Sequence, residues 1–287
     1  MKNVIKFGIN SNMLKTIAVI AMVIDHIGFY FSPYLNHGVY LVCRIIGRMA
    51  MPIFTYLIVQ GFFHTKNFNK YITRIFGFGV ITQILIWLMM YLNIKYVPGY
   101  VAAKQVYLTG NILLTFTISL ALLKLLHEKI LINKWEYNKN LSLRIILVTA
   151  LTVIAIFLPL DYMVEVLMLS VFMYYIERLK LMVYINKSQA TNINGMGSVN
   201  FNINSVFFKM IDDKKIKLIY TGLLLLSLIL ISIYFRNNFW MLLAIIPISL
   251  YNDERGKNTK NSKFAYYIFF PLHHVLLYSL ALALTLT

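Results

Sequence analysis

The chain has 287 residues, of which 60% are hydrophobic and only 13% charged, and its mean hydropathy is +0.71. No soluble domain of this length hides so much apolar surface, so the soluble globular classes are excluded. The net charge of +17 does not indicate a nucleic-acid partner, because the basic residues fall in short segments between apolar runs, as in a multispan membrane protein.

The weakly basic start, with Lys2 and Lys6, leads into a long apolar run without a small-x-small cleavage site, so the first run is expected to be an uncleaved anchor. Crossing a hydrocarbon core takes about 20 helical residues. Runs of suitable character fall near 13–32, 38–63, 71–93, 106–127, 143–159, 162–184, 217–235, 238–251 and 265–285. They are too long and unbroken for barrel strands, which alternate, and backbone groups in lipid must pair internally. The expected fold is therefore all-α, a polytopic transmembrane helix bundle of about nine spans.

Placing the N-terminus in the cytoplasm puts nearly every loop lysine and arginine on that side, leaving only Lys95, Lys104 and Arg236 outside. The C-terminus then lies outside. A polar stretch at about 186–216, rich in Asn, Ser and Gly, is expected to be a flexible cytoplasmic loop within a single membrane domain spanning 1–287. The lone Cys43 has no disulfide partner and is expected to pack.

Ionisable residues at membrane depth are expensive and are functional candidates by default. Asp25 and His26 sit in the first run, and Arg44 and Arg48 in the second. Neighbouring helix residues point about 100° apart, so Asp25 and His26 need separate partners. The two arginines are four apart, share a face, and have Gly47 beside them to allow close helix approach, so one of them is expected to pair with Asp25. Asn111, Asp161, Glu165 and His273 fall at comparable depth, and these groups are expected to converge on one cavity open to the outside. At the inner face, the loop carrying Asn252, Arg255, Gly256 and Lys257 has the chemistry of a phosphate-binding turn. The histidines lack companions three or four residues away, so no metal site is expected.

These polar islands coincide with ordered motifs: LKTIAVIAMVIDHIG at 14–28, RIIGRMAMPIFTYLIVQGFFHT at 44–65, KYITRIFGFGVITQ at 70–83, GNILLTF at 110–116, LDY at 160–162, LYNDERGK at 250–257 and FFPLH at 269–273. Together they resemble the TraX family of membrane proteins, named for an acetylase that modifies the N-terminus of conjugative pilin. Met163 and Asp253 stand where the family pattern tends to have Gly, and His274 doubles the histidine of PLH. The resemblance implies a bacterial inner or cytoplasmic membrane acetyltransferase. It would move acetyl from cytoplasmic acetyl-CoA, with no metal, to an outward-facing acceptor such as a peptide amine or an envelope sugar.

On that reading His26 is the general base, since imidazole suits proton removal near neutral pH. Arg44 or Arg48 orients Asp25 or stabilises the oxyanion. His273, Asn111 and Asp161 help to form the acceptor site, while Asn252, Arg255 and Lys257 meet the coenzyme. Two alternatives stand beside it: a proton-coupled transporter, since buried His, Asp and Arg also build proton relays, and a non-catalytic conjugation or pilus assembly protein.

Overall fold

The computed structural model describes residues 8–96, 110–128, 131–132, 135–193, 213–235, 238–254, 256 and 260–286. Among them the fold is all-α, with two isolated β-bridges. Helices α1 (Ser11–Tyr30), α2 (His37–Gly47), α3 (Ala50–His64) and α4 (Phe68–Tyr96) are followed by α5 (Ile112–His127), α6 (Tyr137–Phe157) and α7 (Met163–Ile193). Then come α8 (Asp213–Tyr234), a 3-10 turn (Phe239–Ala244), the short α9 (Ile245–Ser249) and α10 (Lys260–Leu286).

Asparagines start three of these helices, because a side-chain carbonyl satisfies first-turn amides that have no helical partner. Asn10 accepts from the amides of Asn12 and Met13, Asn36 from Val39, and Asn111 from Leu113. The hub is α3. It buries a continuous run from Ala50 to Ile53 and from Thr55 to Gln60 and packs against α1, α5 and α7. Further neighbours are α1 with α2 and α10, α4 with α5 and α10, α7 with α5 and α8, and α6 with α5 and α7. Helix α6 hangs on the edge, with Ile145, Ile146, Val153, Ile154, Ile156 and Phe157 all exposed, the surface a lipid-facing helix presents.

Six helical segments among the described residues are long and apolar enough to cross a membrane: Ser11–Tyr30, His37–His64, Phe68–Met89, Tyr137–Phe157, Lys214–Tyr234 and Ala265–Leu284. The expectation of about nine spans is met by fewer full-length segments for three reasons. Ile112–His127 and Phe239–Ser249 are apolar but short, and the second is a 3-10 turn running into five α-helical residues. Helix α7 is long but polar: it carries Glu177, 2% exposed, which accepts from Gln60 Nε2 (2.8 Å) and Tyr220 Oη (2.6 Å) and lies 3.7 Å from Lys180.

The run expected at 38–63 is two helices, broken at Arg48 and Met49. Helix α7 also continues to Ile193, into the stretch expected to be a loop from residue 186.

The two bridges tie opposite ends of the bundle. At the N-terminal end of α1, Ile9 pairs with Tyr251, and the amides of Ser11 and Asn252 donate to the carbonyls of Glu254 and Ile9 (2.8 and 3.0 Å). Gly256 takes φ +73° there, and a Cβ on it would meet Asn10 at 2.8 Å. At the other end Gly110 pairs with Leu160, with Gly110 N donating to Pro159 O and Asp161 N to Gly110 O. That second clasp places Asp161 and Tyr162 beside the ends of α1 and α2.

Candidate functional site

The site starts with the approach of α1 to α2. A Cβ added to Gly47 would fall inside the Asp25 side chain, so only glycine lets the carboxylate lie against the α2 backbone. There Asp25 Oδ2 meets Arg44 Nη1 at 2.8 Å, and Asp25 Oδ1 has no hydrogen-bond partner among the described residues. One turn on, Arg48 reaches in another direction. Its Nη1 donates to Tyr162 Oη at 2.6 Å, and its guanidinium lies 5.7 Å from the centre of that ring. Tyr162 holds a left-handed backbone (φ +51°), a conformation that costs about 1 kcal/mol or more and persists only where surroundings enforce it.

His26, next to Asp25, points to α10. Its Nδ1 lies 2.7 Å from Nε2 of His273, and Nδ1 of His273 lies 3.1 Å from the carbonyl oxygen of Phe269. A carbonyl only accepts, so with one proton per ring His273 carries its proton on Nδ1 and accepts at Nε2. His26 must then donate from Nδ1. Its own Nε2 is left with a lone pair and no hydrogen-bond partner among the described residues.

His274 stacks obliquely on both rings, with centroids at 4.5 and 4.3 Å, and its Nδ1 lies 2.9 Å from Tyr30 Oη. The three imidazoles bring their ligand atoms within 4.8 Å of one another. The argument against a metal from missing helical companions therefore does not hold, because the companions come from another helix. The 2.7 Å contact between His26 and His273 is a hydrogen bond.

Asp25, His26, Arg44, Arg48, Asn111 and Asp161 all line one cavity of about 390 Å³, together with Tyr30, Tyr162 and His274. His273, 4% exposed, stands behind His26. Asn111 belongs to the wall: its amide group caps α5 and donates to Gly79 O (2.8 Å) and Gln83 Oε1 (3.0 Å). The backbone of Asp161 is held by Gly110 and by Thr115 Oγ1, while its side chain is open to the cavity. The protein packed around that opening, and then the carboxylates of Asp25 and Glu165, push the Asp161 carboxyl up, to about 7, against the pull of Arg48 and Arg44.

The inner-loop candidates fare differently. Arg255 and Lys257 lie outside the described residues. Asn252 is described: its Oδ1 accepts from Glu254 N at 3.0 Å and its backbone amide donates to Ile9 O. Sequence reasoning gave no role to His274, Tyr30 or Tyr162. The doubled histidine and the LDY motif were the signals available.

A second cavity of about 270 Å³ lies toward the N-terminal end of α1, lined by Lys15, Gln60, His64, Arg74, Asp253 and Tyr266 among others. Met22, Phe54 and Phe270 line both cavities. They form the partition between the two.

Comparison with known proteins agrees with this arrangement of motifs. The chain is 28% identical over 270 residues to a protein of Dichelobacter nodosus named "Probable fimbrial assembly protein FimC, serogroup H1", with 93% of each chain covered. It is 48% identical over 73 residues to an uncharacterized protein of Rickettsia prowazekii (strain Madrid E), covering 25% of each chain. No solved structure matches. The family model described as TraX protein matches residues 10–281, from the cap of α1 to the last turns of α10, and the chain belongs to the TraX family.

Proposed function

We propose that the protein is a membrane acetyltransferase that takes acetyl from acetyl-CoA on the cytoplasmic side and passes it to an acceptor on the outer side of a bacterial inner or cytoplasmic membrane. The N-terminus is inside and the C-terminus outside, with nine passes of the chain. Lys15 and Arg74 then face the cytoplasm, and the cavity of Asp25, His26 and the two arginines opens outward. The observation that carries this reading is the chain from Phe269 O through His273 to His26, which leaves His26 Nε2 as a base on the wall of a cavity that also holds two guanidiniums.

In the transfer, His26 Nε2 takes a proton from an amine or hydroxyl as its nitrogen or oxygen attacks the thioester carbonyl. Negative charge gathers on the carbonyl oxygen, and Arg48, joined by Arg44 when its bond to Asp25 loosens, stabilises it. Collapse breaks the carbon–sulfur bond. The thiolate leaves and takes back the proton from His26, so the products are acetylated acceptor and free coenzyme A. His273 keeps the His26 ring aligned and stabilises its protonated form. A direct transfer and a route through acetyl-His26 both conserve atoms and protons, and ping-pong kinetics marks the second.

The acceptor is a pilus subunit's amino terminus or an envelope sugar. The name of the Dichelobacter relative, a fimbrial assembly protein, favours the pilin peptide. The same name supports a second reading, an assembly protein without catalysis, and one experiment separates the two. Purified protein with labelled acetyl-CoA and a peptide amine is expected to label the peptide, and His26→Ala to lower the rate by about 100-fold or more with unchanged thermal unfolding. Wild-type turnover by His26→Ala would overturn the assignment of the base.

A further inference from the structure

The second cavity holds chemistry that the outward-facing site does not use. Gln60, one turn before the C-terminal end of α3, is 4% exposed, and its Nε2 is committed to Glu177. Its Oε1 is buried and has no hydrogen-bond partner among the described residues, yet the residue lines the cavity. An unmet carbonyl acceptor in the interior is costly, and a ligand carrying an N–H removes that cost.

The same cavity carries the cations of Lys15 and Arg74, together with His64, one turn beyond Gln60, and the carboxylate of Asp253, which is held by Lys180 at 2.7 Å. Tyr266 and Tyr267 line it as well, below the cations of Lys15 and Arg74 (6.0 and 5.6 Å to the ring centres). An elongated ligand with anionic groups at one end and amides along its length fits this pattern.

We propose that this cavity holds the pantetheine arm of the acyl donor, with Gln60 Oε1 accepting an amide N–H of the arm and Lys15 and Arg74 meeting the phosphates. The inference rests on the acetyl-transfer reading and adds to it the place where the donor binds. Lengths agree. Lys15 and His26 are eleven residues apart on α1, about 16 Å along a helix. A pantetheine arm has the backbone length of four to five extended residues, about 15 Å. Its thioester end therefore arrives at the partition of Met22, Phe54 and Phe270, where the unbranched Met22 can turn aside and expose the thioester to His26. The phosphates stay with Lys15 and Arg74, so this role does not require Arg255 or Lys257.

The test measures binding by the full chain in detergent, with two probes: coenzyme A, and adenosine 3′,5′-bisphosphate, which has no pantetheine arm. Gln60→Met is expected to weaken coenzyme A by about 5–10-fold, the worth of one hydrogen bond, and to leave the bisphosphate unchanged. Lys15→Ala and Arg74→Ala are expected to weaken both probes by a similar factor. Val19→Trp fills the cavity from α1 without touching the Glu177 cluster, and is expected to abolish the advantage of coenzyme A over the bisphosphate even if Gln60→Met does not fold.

Coenzyme A binding that ignores Gln60→Met and Val19→Trp, or a Gln60→Met loss that is equal for both probes, would overturn this inference and leave the acetyl-transfer reading standing. A wild-type chain that binds neither probe would overturn both.

Discussion

Nδ1 of His26 and Nε2 of His273 stand 2.7 Å apart across 247 positions of sequence, and the second ring is itself anchored to the backbone of its own helix at Phe269. One imidazole thus sets the tautomer of another. The pair has the logic of a base and its orienting group, with a neutral ring in place of the usual carboxylate. Asp25, adjacent in sequence to His26, is turned to Arg44 and takes no part in that alignment.

If His273 positions His26, its loss should lower kcat for acetyl transfer more than it changes KM. His273→Leu is expected to cost about 100-fold in kcat. His273→Gln offers an amide oxygen to the same Nδ1–H and should recover a large part of that loss. Equal damage by Leu and Gln, measured alongside unfolding temperatures, would mean that the residue only packs.

The Asp25–Arg44 pair is largely shielded, with side chains 15% and 22% exposed, and breaking it strands a charge. Arg44→Ala should lower stability by about 3–5 kcal/mol, whereas the double change Asp25→Asn with Arg44→Ala should recover much of the loss, because neither charge remains. Unfolding of Arg44→Ala, Asp25→Asn, the double variant and wild type in a mixed-micelle denaturation series closes the cycle. Additive losses would show that the two side chains do not depend on each other.

Much of this arrangement can be read from the sequence, and particular residues show why the rest cannot. Polar residues in apolar runs are few, so Asp25, His26, Arg44 and Arg48 stand out, and helix depth brings Asn111 and Asp161 to the same level. His274 is hidden by its neighbour: adjacent helix positions diverge by about 100°, so helix geometry alone argues for one histidine and against the other. Both meet His26 because its ring lies between their two directions, and Tyr30, one turn beyond His26, holds His274 from above. Gln60 and Arg74 escape notice for the opposite reason. Gln60 is a lone amide in an apolar helix, and Arg74 looks like any topology-setting charge until the fold wraps both around one cavity. The helix break at Arg48 has no side-chain cap, and its signal, Pro52 in the first turn of α3 with no N–H to give the Arg48 carbonyl, is easily passed over inside a long apolar run.

Gly47 gives a prediction of reversed sign. Alanine normally favours a helix over glycine by about 1 kcal/mol, but at this position its Cβ would overlap Asp25. Gly47→Ala should therefore destabilise the protein, separate α1 from α2 and reduce acetyl transfer. Combining it with Asp25→Gly removes the obstructing side chain but leaves Arg44 without its carboxylate, so the double change should regain only part of the stability and none of the activity. A Gly47→Ala protein with raised unfolding temperature would show that the helices do not meet this closely.

Asp161 supplies a pH dependence whose direction is set by its surroundings. Its carboxyl is raised from 3.8 to about 7 by the packing around it and by Asp25 and Glu165, with Arg48 and Arg44 opposing. Between these two values the folded protein keeps a proton that the unfolded chain has released, so stability falls as pH rises through the window and levels off above about 7. Asp161→Asn cannot titrate. The difference in unfolding temperature between wild type and Asp161→Asn should therefore change across pH 4 to 7, with wild type losing ground as pH increases, and be flat above that range. A difference that is constant from pH 4 to 8 would mean that the carboxyl ionises as it does in water.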